Sequence, residues 1–272
     1  ASGCPSWQAL LRGDDVFGMA ASMASAPPVI FSKRRKRARE ARAEAMASCG
    51  EVADFLLQNM TDEVQDRLGF LRFEPADVLC EGFGSSLVAE APWMHDVTFH
   101  STLDRDFDTP LDLFEASLDM VCSINSLDTV NDLPGALIQM RELLKPGGLA
   151  MASFIGGASL PRLRRAMFEA EPDRPAARIH PMIDPRSCPQ LLSRAGWNSP
   201  VVDSYQLKVR YSCLDRLVQD LREQAMANVL DAPATPLTRS QIERARDAFL
   251  ANADADGKVT EIFEIVTLTG WR

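Results

Sequence analysis

No apolar run in this 272-residue chain approaches the roughly 18–20 residues that a membrane-crossing helix requires. Histidine is scarce: His95, His100 and His180 are the whole set, and no two stand three or four residues apart, so no helical metal site is expected. The six cysteines, Cys4, Cys49, Cys80, Cys122, Cys188 and Cys213, are scattered without a Cys-x-x-Cys pair or a zinc spacing. Cys80 and Cys122 fall in apolar patterns, where a thiol behaves as a small buried hydrophobe, and this usage fits a reducing, cytoplasmic setting. Also missing are a Ser-His-Asp order, an HExxH pair, a Walker loop and any nucleic-acid module. The formal net charge of -9 sets the average field against phosphate, so neither nucleic acid nor an anionic membrane is an expected partner.

What is present is an ordinary globular mixture, 46% apolar and 25% charged, enough for one large α/β domain with elaborations. Residues 1–27, rich in Ala, Ser and Met without a period, read as a poorly ordered extension ahead of a single domain over 28–272. The basic run Lys33-Arg34-Arg35-Lys36-Arg37-Ala38-Arg39 predicts a solvated helix, and apolar residues at helical spacing predict another over 51–71. Strands are expected at 78–80, 97–102, 120–123, 149–154, 201–211 and 259–268, the last antiparallel to its neighbour. Two helices near 213–227 and 238–252 form a cap.

The most telling segment is 118–154. An apolar strand ends at Ser123, a polar loop follows, Asp132 stands at a helix N-cap with Pro134 in the first turn, and Lys145-Pro146-Gly147-Gly148 leads into the next strand. That is a βαβ unit of a parallel sheet, whose ligands lie at the carboxyl ends of the strands. Upstream, Val78-Leu79-Cys80-Glu81-Gly82-Phe83-Gly84-Ser85-Ser86 is a two-glycine strand-to-helix turn, in which backbone can approach a ligand closely. By contrast, Asn252-Ala253-Asp254-Ala255-Asp256-Gly257 reads as a turn: the twelfth position of an EF-hand loop would need an acid, and Phe263 stands there.

Residues 30–272 resemble the class I S-adenosylmethionine (SAM) methyltransferase-like family that contains the mitochondrial complex I assembly factor 5 and its bacterial relatives, itself similar to the biotin-pathway malonyl-carrier methyltransferases. The resemblance rests on Ile30-Phe31 with the following Arg-rich helix, Val130-Asn131-Asp132-Leu133-Pro134-Gly135-Ala136-Leu137, Leu144-Lys145-Pro146-Gly147-Gly148, Gly156-Gly157-Ala158-Ser159-Leu160, Leu191-Leu192-Ser193-Arg194-Ala195-Gly196-Trp197 and the terminal Leu268-Thr269-Gly270-Trp271. It implies a Rossmann-like class I methyltransferase α/β sandwich with a shortened sheet edge and a helical cap. It also makes the mitochondrial matrix the alternative location.

The chain departs from that family at three places. Cys80 and Glu81 stand where the first loop usually has Asp-Leu, and Ser86 replaces its last glycine, so the loop is degenerate. Only 37 residues separate Gly82 from Asp119, room for one βα unit and little more, so one edge strand is expected to be missing. Asp128-Thr129 replaces the usual His-Trp.

By resemblance, SAM would contact Glu81, Gly82, Gly84, Ser85 and Ser123, with Asp104 or Asp106 at its ribose. Asn125, Asp128, His180, Arg210 and Tyr211 are the candidates for the acceptor. The leading expectation is methyl transfer to a small-molecule or protein acceptor. Two others stay open: a non-catalytic assembly or interaction factor with a protein partner, and a protein-arginine hydroxylase.

Overall fold

The computed structural model describes residues 28–94, 97–101, 107, 116–173 and 175–272. The expected extension over 1–27, Asp104 and Asp106 lie outside them. In chain order the elements are α1 (Lys33–Ala47), α2 (Phe55–Leu71), β1 (Asp77–Glu81), α3 (Ser85–Ala89), β2 (Thr98–Ser101), β3 (Leu118–Ile124), α4 (Leu133–Leu143), β4 (Leu144–Ile155), α5 (Pro161–Ala170), α6 (Cys188–Arg194), β5 (Asn198–Tyr211), α7 (Leu214–Glu223), α8 (Arg239–Leu250) and β6 (Val259–Trp271).

The strands form one sheet in the order β2-β1-β3-β4-β6-β5. The first four are parallel, and β6 inserts antiparallel between β4 and β5, the arrangement expected of a strand that follows a long helical excursion. Among the described residues the sheet has six strands with β2 at its edge; residues 102–106 and 108–115, part of the Gly82-to-Asp119 stretch on which the shortened edge is expected, lie outside them.

Alternation along the central strands divides the core. Val78, Cys80, Met120 and Cys122 face α2, α5, α7 and α8, whereas Leu79 and Val121 face α4 and α6. α4 starts where the sequence says it should: the Asp132 carboxylate accepts from the Gly135 amide at 2.9 Å, with Pro134 in the first turn. Gln224, just beyond α7, accepts the Leu56 amide at 2.7 Å, so the cap is tied to the start of α2.

One expectation fails. α1 is not a solvated helix: Lys36, Arg39 and Ala43, spaced at i, i+3 and i+7, are buried, and the helix packs on α7. Its basic face is accepted because acidic side chains and backbone carbonyls meet it. Arg39 donates to the Ala227 carbonyl at 3.3 Å. The preceding segment is held by Asn131, whose Oδ1 accepts from the amides of Ile30 (2.7 Å) and Phe31 (2.9 Å).

Candidate functional site

At the carboxyl edge, β1 and β3 end side by side, Glu81 in register with Ser123. Gly82 then turns the chain at φ +99°, a left-handed conformation open to glycine. The loop rides low on the sheet: a Cβ on Gly82 would lie 2.1 Å from the Ile124 carbonyl oxygen, and one on Gly84 2.2 Å from Ile124 Cγ2. Both glycines are therefore needed to seat the loop on the end of β3. Asn125 takes the left-handed conformation at φ +56°, and its amide group donates to the Gln224 carbonyl at 3.2 Å.

Glu81 lies at the centre of a buried polar network. Its carboxylate accepts from Ser123 Oγ at 2.9 Å and from Ser126 Oγ at 2.5 Å. Lys36, reaching in from α1, donates to Ser126 Oγ at 2.7 Å and holds its ammonium 3.9 Å from Glu81. Glu81 thus has its charge balanced by the protein's own cation. Ser85 is buried at the first turn of α3.

Asp128 and His180, 52 positions apart, meet at 3.5 Å between Oδ2 and Nε2, with 6% and 3% of their surfaces exposed. Burial pushes the Asp128 carboxyl up, but His180, then Arg39 and Lys36, together hold it below its ordinary value. Burial lowers the Arg39 guanidinium, an effect that Asp128 opposes. The Phe31 ring stands edge-on to the imidazole, with centroids 5.8 Å apart at 87°. Among the described residues neither ring nitrogen of His180 has a hydrogen-bond partner, nor does Asp128 Oδ1.

His180 forms part of the wall of a cavity of about 200 Å³ between α5 and α7, otherwise lined mainly by Leu163, Met167, Met182, Leu221 and Met226. A narrow recess of about 10 Å³ carries it inward to Asp128. Arg178 also lines the cavity, its Nε donating to Glu171 at 2.7 Å and its Nη2 without a partner among the described residues.

The other candidates sit apart from this cavity. Arg210 is ion-paired to Asp254 and to Asp256 (2.9 Å), fastening the turn before β6 to β5. Tyr211 is buried in the core, where burial and then Asp220 push its phenol well above the ordinary range. Lys36, Arg39 and Ser126 were not singled out for the site from sequence. The cue available was the i, i+3, i+7 face of α1, which only an acid from elsewhere in the chain makes buriable. Among the described residues no three His, Cys, Asp or Glu side chains are grouped closely enough to hold a metal ion.

The methyltransferase domain family matches residues 57–201, from the start of α2 into β5. The chain belongs to that family. The family accounts for the fold, a class I, Rossmann-like α/β sandwich with six strands among the described residues.

Relatives include the arginine-hydroxylase NDUFAF5, mitochondrial, of Homo sapiens, 30% identical over 205 residues that cover 74% of this chain and 57% of that protein. The Danio rerio protein of the same name is 27% identical, with 89% of this chain and 83% of that one covered. The malonyl-[acyl-carrier protein] O-methyltransferase of Xylella fastidiosa (strain M23) is 29% identical, with 59% and 54% covered. Against the human and bacterial relatives the chain thus spans little more than half their length.

Proposed function

We propose that the protein is a SAM-dependent class I methyltransferase, with the methyl donor over residues 82–85 and the acceptor in the cavity beside His180. The observation that carries this reading is the seating of a glycine loop on the end of β3, next to the loop whose Asp128 lines a narrow recess together with His180. By the resemblance the methionine end of the donor would lie against Gly82, Gly84 and Ser85, a stretch whose path is set by the two glycines, with their bare sides turned to Ile124. Glu81 suits it less directly, since Ser123, Ser126 and Lys36 already surround its carboxylate. In this reading Glu81 braces the loop from beneath. Bound there, SAM supplies an electrophilic methyl group. The chain's own contribution is then orientation, holding the acceptor in line and excluding water, which needs no nucleophile on the protein.

Photo-crosslinking with tritiated SAM tests this. Label is expected in a peptide from 77–89 and is displaced by unlabelled S-adenosylhomocysteine. Label absent or confined elsewhere contradicts the reading.

A second reading, an interaction factor without catalysis, draws on the internal balancing of Glu81 by Lys36. Its partner would be a protein, as the assembly-factor resemblance implies. The arginine-hydroxylase reading rests on the name of those relatives alone.

A further inference from the structure

We infer that the open edge of β5 is a docking surface for a second copy of this chain, whose own β5 adds to it antiparallel about Gln206 and joins the two sheets into one. The inference is independent of what the carboxyl edge of the sheet binds.

The register of the sheet shows which peptide groups are free. Between β4 and β6 the backbone bonds are made by even-numbered residues of β6: Gly156 donates to the Glu264 carbonyl at 2.8 Å, and Arg272 donates to the Gly148 carbonyl at 3.0 Å. Backbone groups alternate sides along a strand, so the odd-numbered residues of β6 turn to β5. There Thr269, Thr267, Ile265 and Phe263 stand opposite Val201, Asp203, Tyr205 and Leu207. The N–H and C=O groups of Val202, Ser204, Gln206, Lys208 and Arg210 therefore point out of the sheet. Among the described residues they make no hydrogen bond.

This open stretch is long and bounded. β5 runs in unbroken register with β6 from Val201 to Tyr211, and Val201 and Tyr205 are 47% and 36% exposed. An unpaired edge of that length is a template for another strand. Pro200, which has no N–H, ends it on one side within the register shift between Asn198 and Val201. The apolar surface continues onto α2, where Phe70 is 87% exposed, one turn beyond the Arg67 that donates to Asp203 at 2.8 Å.

The strand fits itself. Its five outward-facing residues are symmetric about Gln206, so a reversed copy centred there sets Gln206 against Gln206, Ser204 against Lys208 and Val202 against Arg210. Every outward peptide group then gains a partner, and because both β5 edges are consumed the assembly closes at two copies. On the other face Tyr205 lies against Leu207, twice by symmetry, an aromatic–aliphatic pair of the kind that stabilises sheets. Charge agrees with this register. Asp203 is already held by Arg67, and Lys208, which has no ion pair among the described residues, meets a hydroxyl. Centring on Tyr205 would set Arg210 against Pro200 and forfeit bonds, and centring on Asp203 or Lys208 would oppose like charges.

Sedimentation equilibrium of the whole chain is the test. The wild type is expected to reach twice the chain mass, reversibly, as its concentration rises. Hydrogen exchange at the amides of Ser204, Gln206 and Lys208 should slow as the dimer forms, whereas the amides of Asp203 and Tyr205 stay slow throughout. Gln206→Pro removes an outward N–H, leaves the bonds to β6, and should be monomeric. Ser204→Lys faces Lys208 of the second copy and should weaken the dimer roughly tenfold, and Ser204→Glu should tighten it by a similar factor. Ser204→Lys/Lys208→Glu should restore the dimer.

Circular dichroism reports whether each variant folds, and if Gln206→Pro does not, the charge series at position 204 decides. A wild type that stays monomeric, a dimer indifferent to the charge at position 204, or a species larger than two copies overturns the inference. Binding of S-adenosylhomocysteine, or its absence, bears on the donor site alone.

Discussion

Lys36 on α1 and Glu81 at the end of β1 stand 3.9 Å apart, both almost wholly enclosed, although 45 positions separate them in the chain. The pair fixes a basic helix over the carboxyl edge of the sheet. Removing one member leaves the other charge buried, a change that ordinarily costs about 3–5 kcal/mol. Lys36→Met should therefore destabilise the fold by about that much in urea unfolding. Lys36→Met/Glu81→Gln should lose less than the sum of the single changes, because the residues share one network.

Asp128 should make stability depend on pH with a definite sign. Its folded carboxyl lies below its ordinary value of about 3.9, since His180, Arg39 and Lys36 outweigh the effect of burial. A depressed carboxyl adds stability that is present in full above the unfolded value and is lost as pH falls through the folded one. Wild type should exceed Asp128→Asn by about 3 kcal/mol between pH 5 and 7, with the gap narrowing below about pH 4. Urea midpoints of the two proteins across that range provide the check.

The start of α4 gives a more local prediction. Asp132→Ala removes the carboxylate that accepts the Gly135 amide and should lower stability by about 0.5–2 kcal/mol, with Asp132→Asn costing far less. Because α4 follows directly on the loop of Asp128 and Asn131, the same change should loosen the segment at Ile30 and Phe31, read as faster amide exchange there.

Thiol reactivity should divide the cysteines. Cys49 is exposed and is expected to react at once with a disulfide reagent, whereas Cys80 and Cys122 pair across β1 and β3 in the interior. Burial, then Cys122 and Glu81, push the Cys80 thiol far up, away from the reactive thiolate. Mass spectrometry of the labelled native protein should find both unmodified until denaturant is added.

Much of the fold was legible because its signals are local. Asp132 with Pro134 marks a helix start, and alternating apolar residues mark the central strands. The antiparallel β6 followed from chain order. The seat of α1 was not legible, since a run of Lys and Arg reads as solvent-facing until an acid such as Glu81 is known to lie opposite. The site divided likewise. Glu81, Ser123, Asp128 and His180 stood among the sequence candidates, but the contacts that join them cross 42 positions (Glu81 to Ser123) and 52 (Asp128 to His180), distances over which sequence spacing carries no geometry.

The central claim, that this edge of the sheet holds a methyl donor, is tested most directly by calorimetry with S-adenosylhomocysteine. One equivalent should bind with measurable heat. At about a hundred times its dissociation constant it should add roughly 2.7 kcal/mol to stability, visible as a raised melting temperature. No heat and no thermal shift at millimolar ligand would contradict the claim and leave the interaction-factor reading in its place.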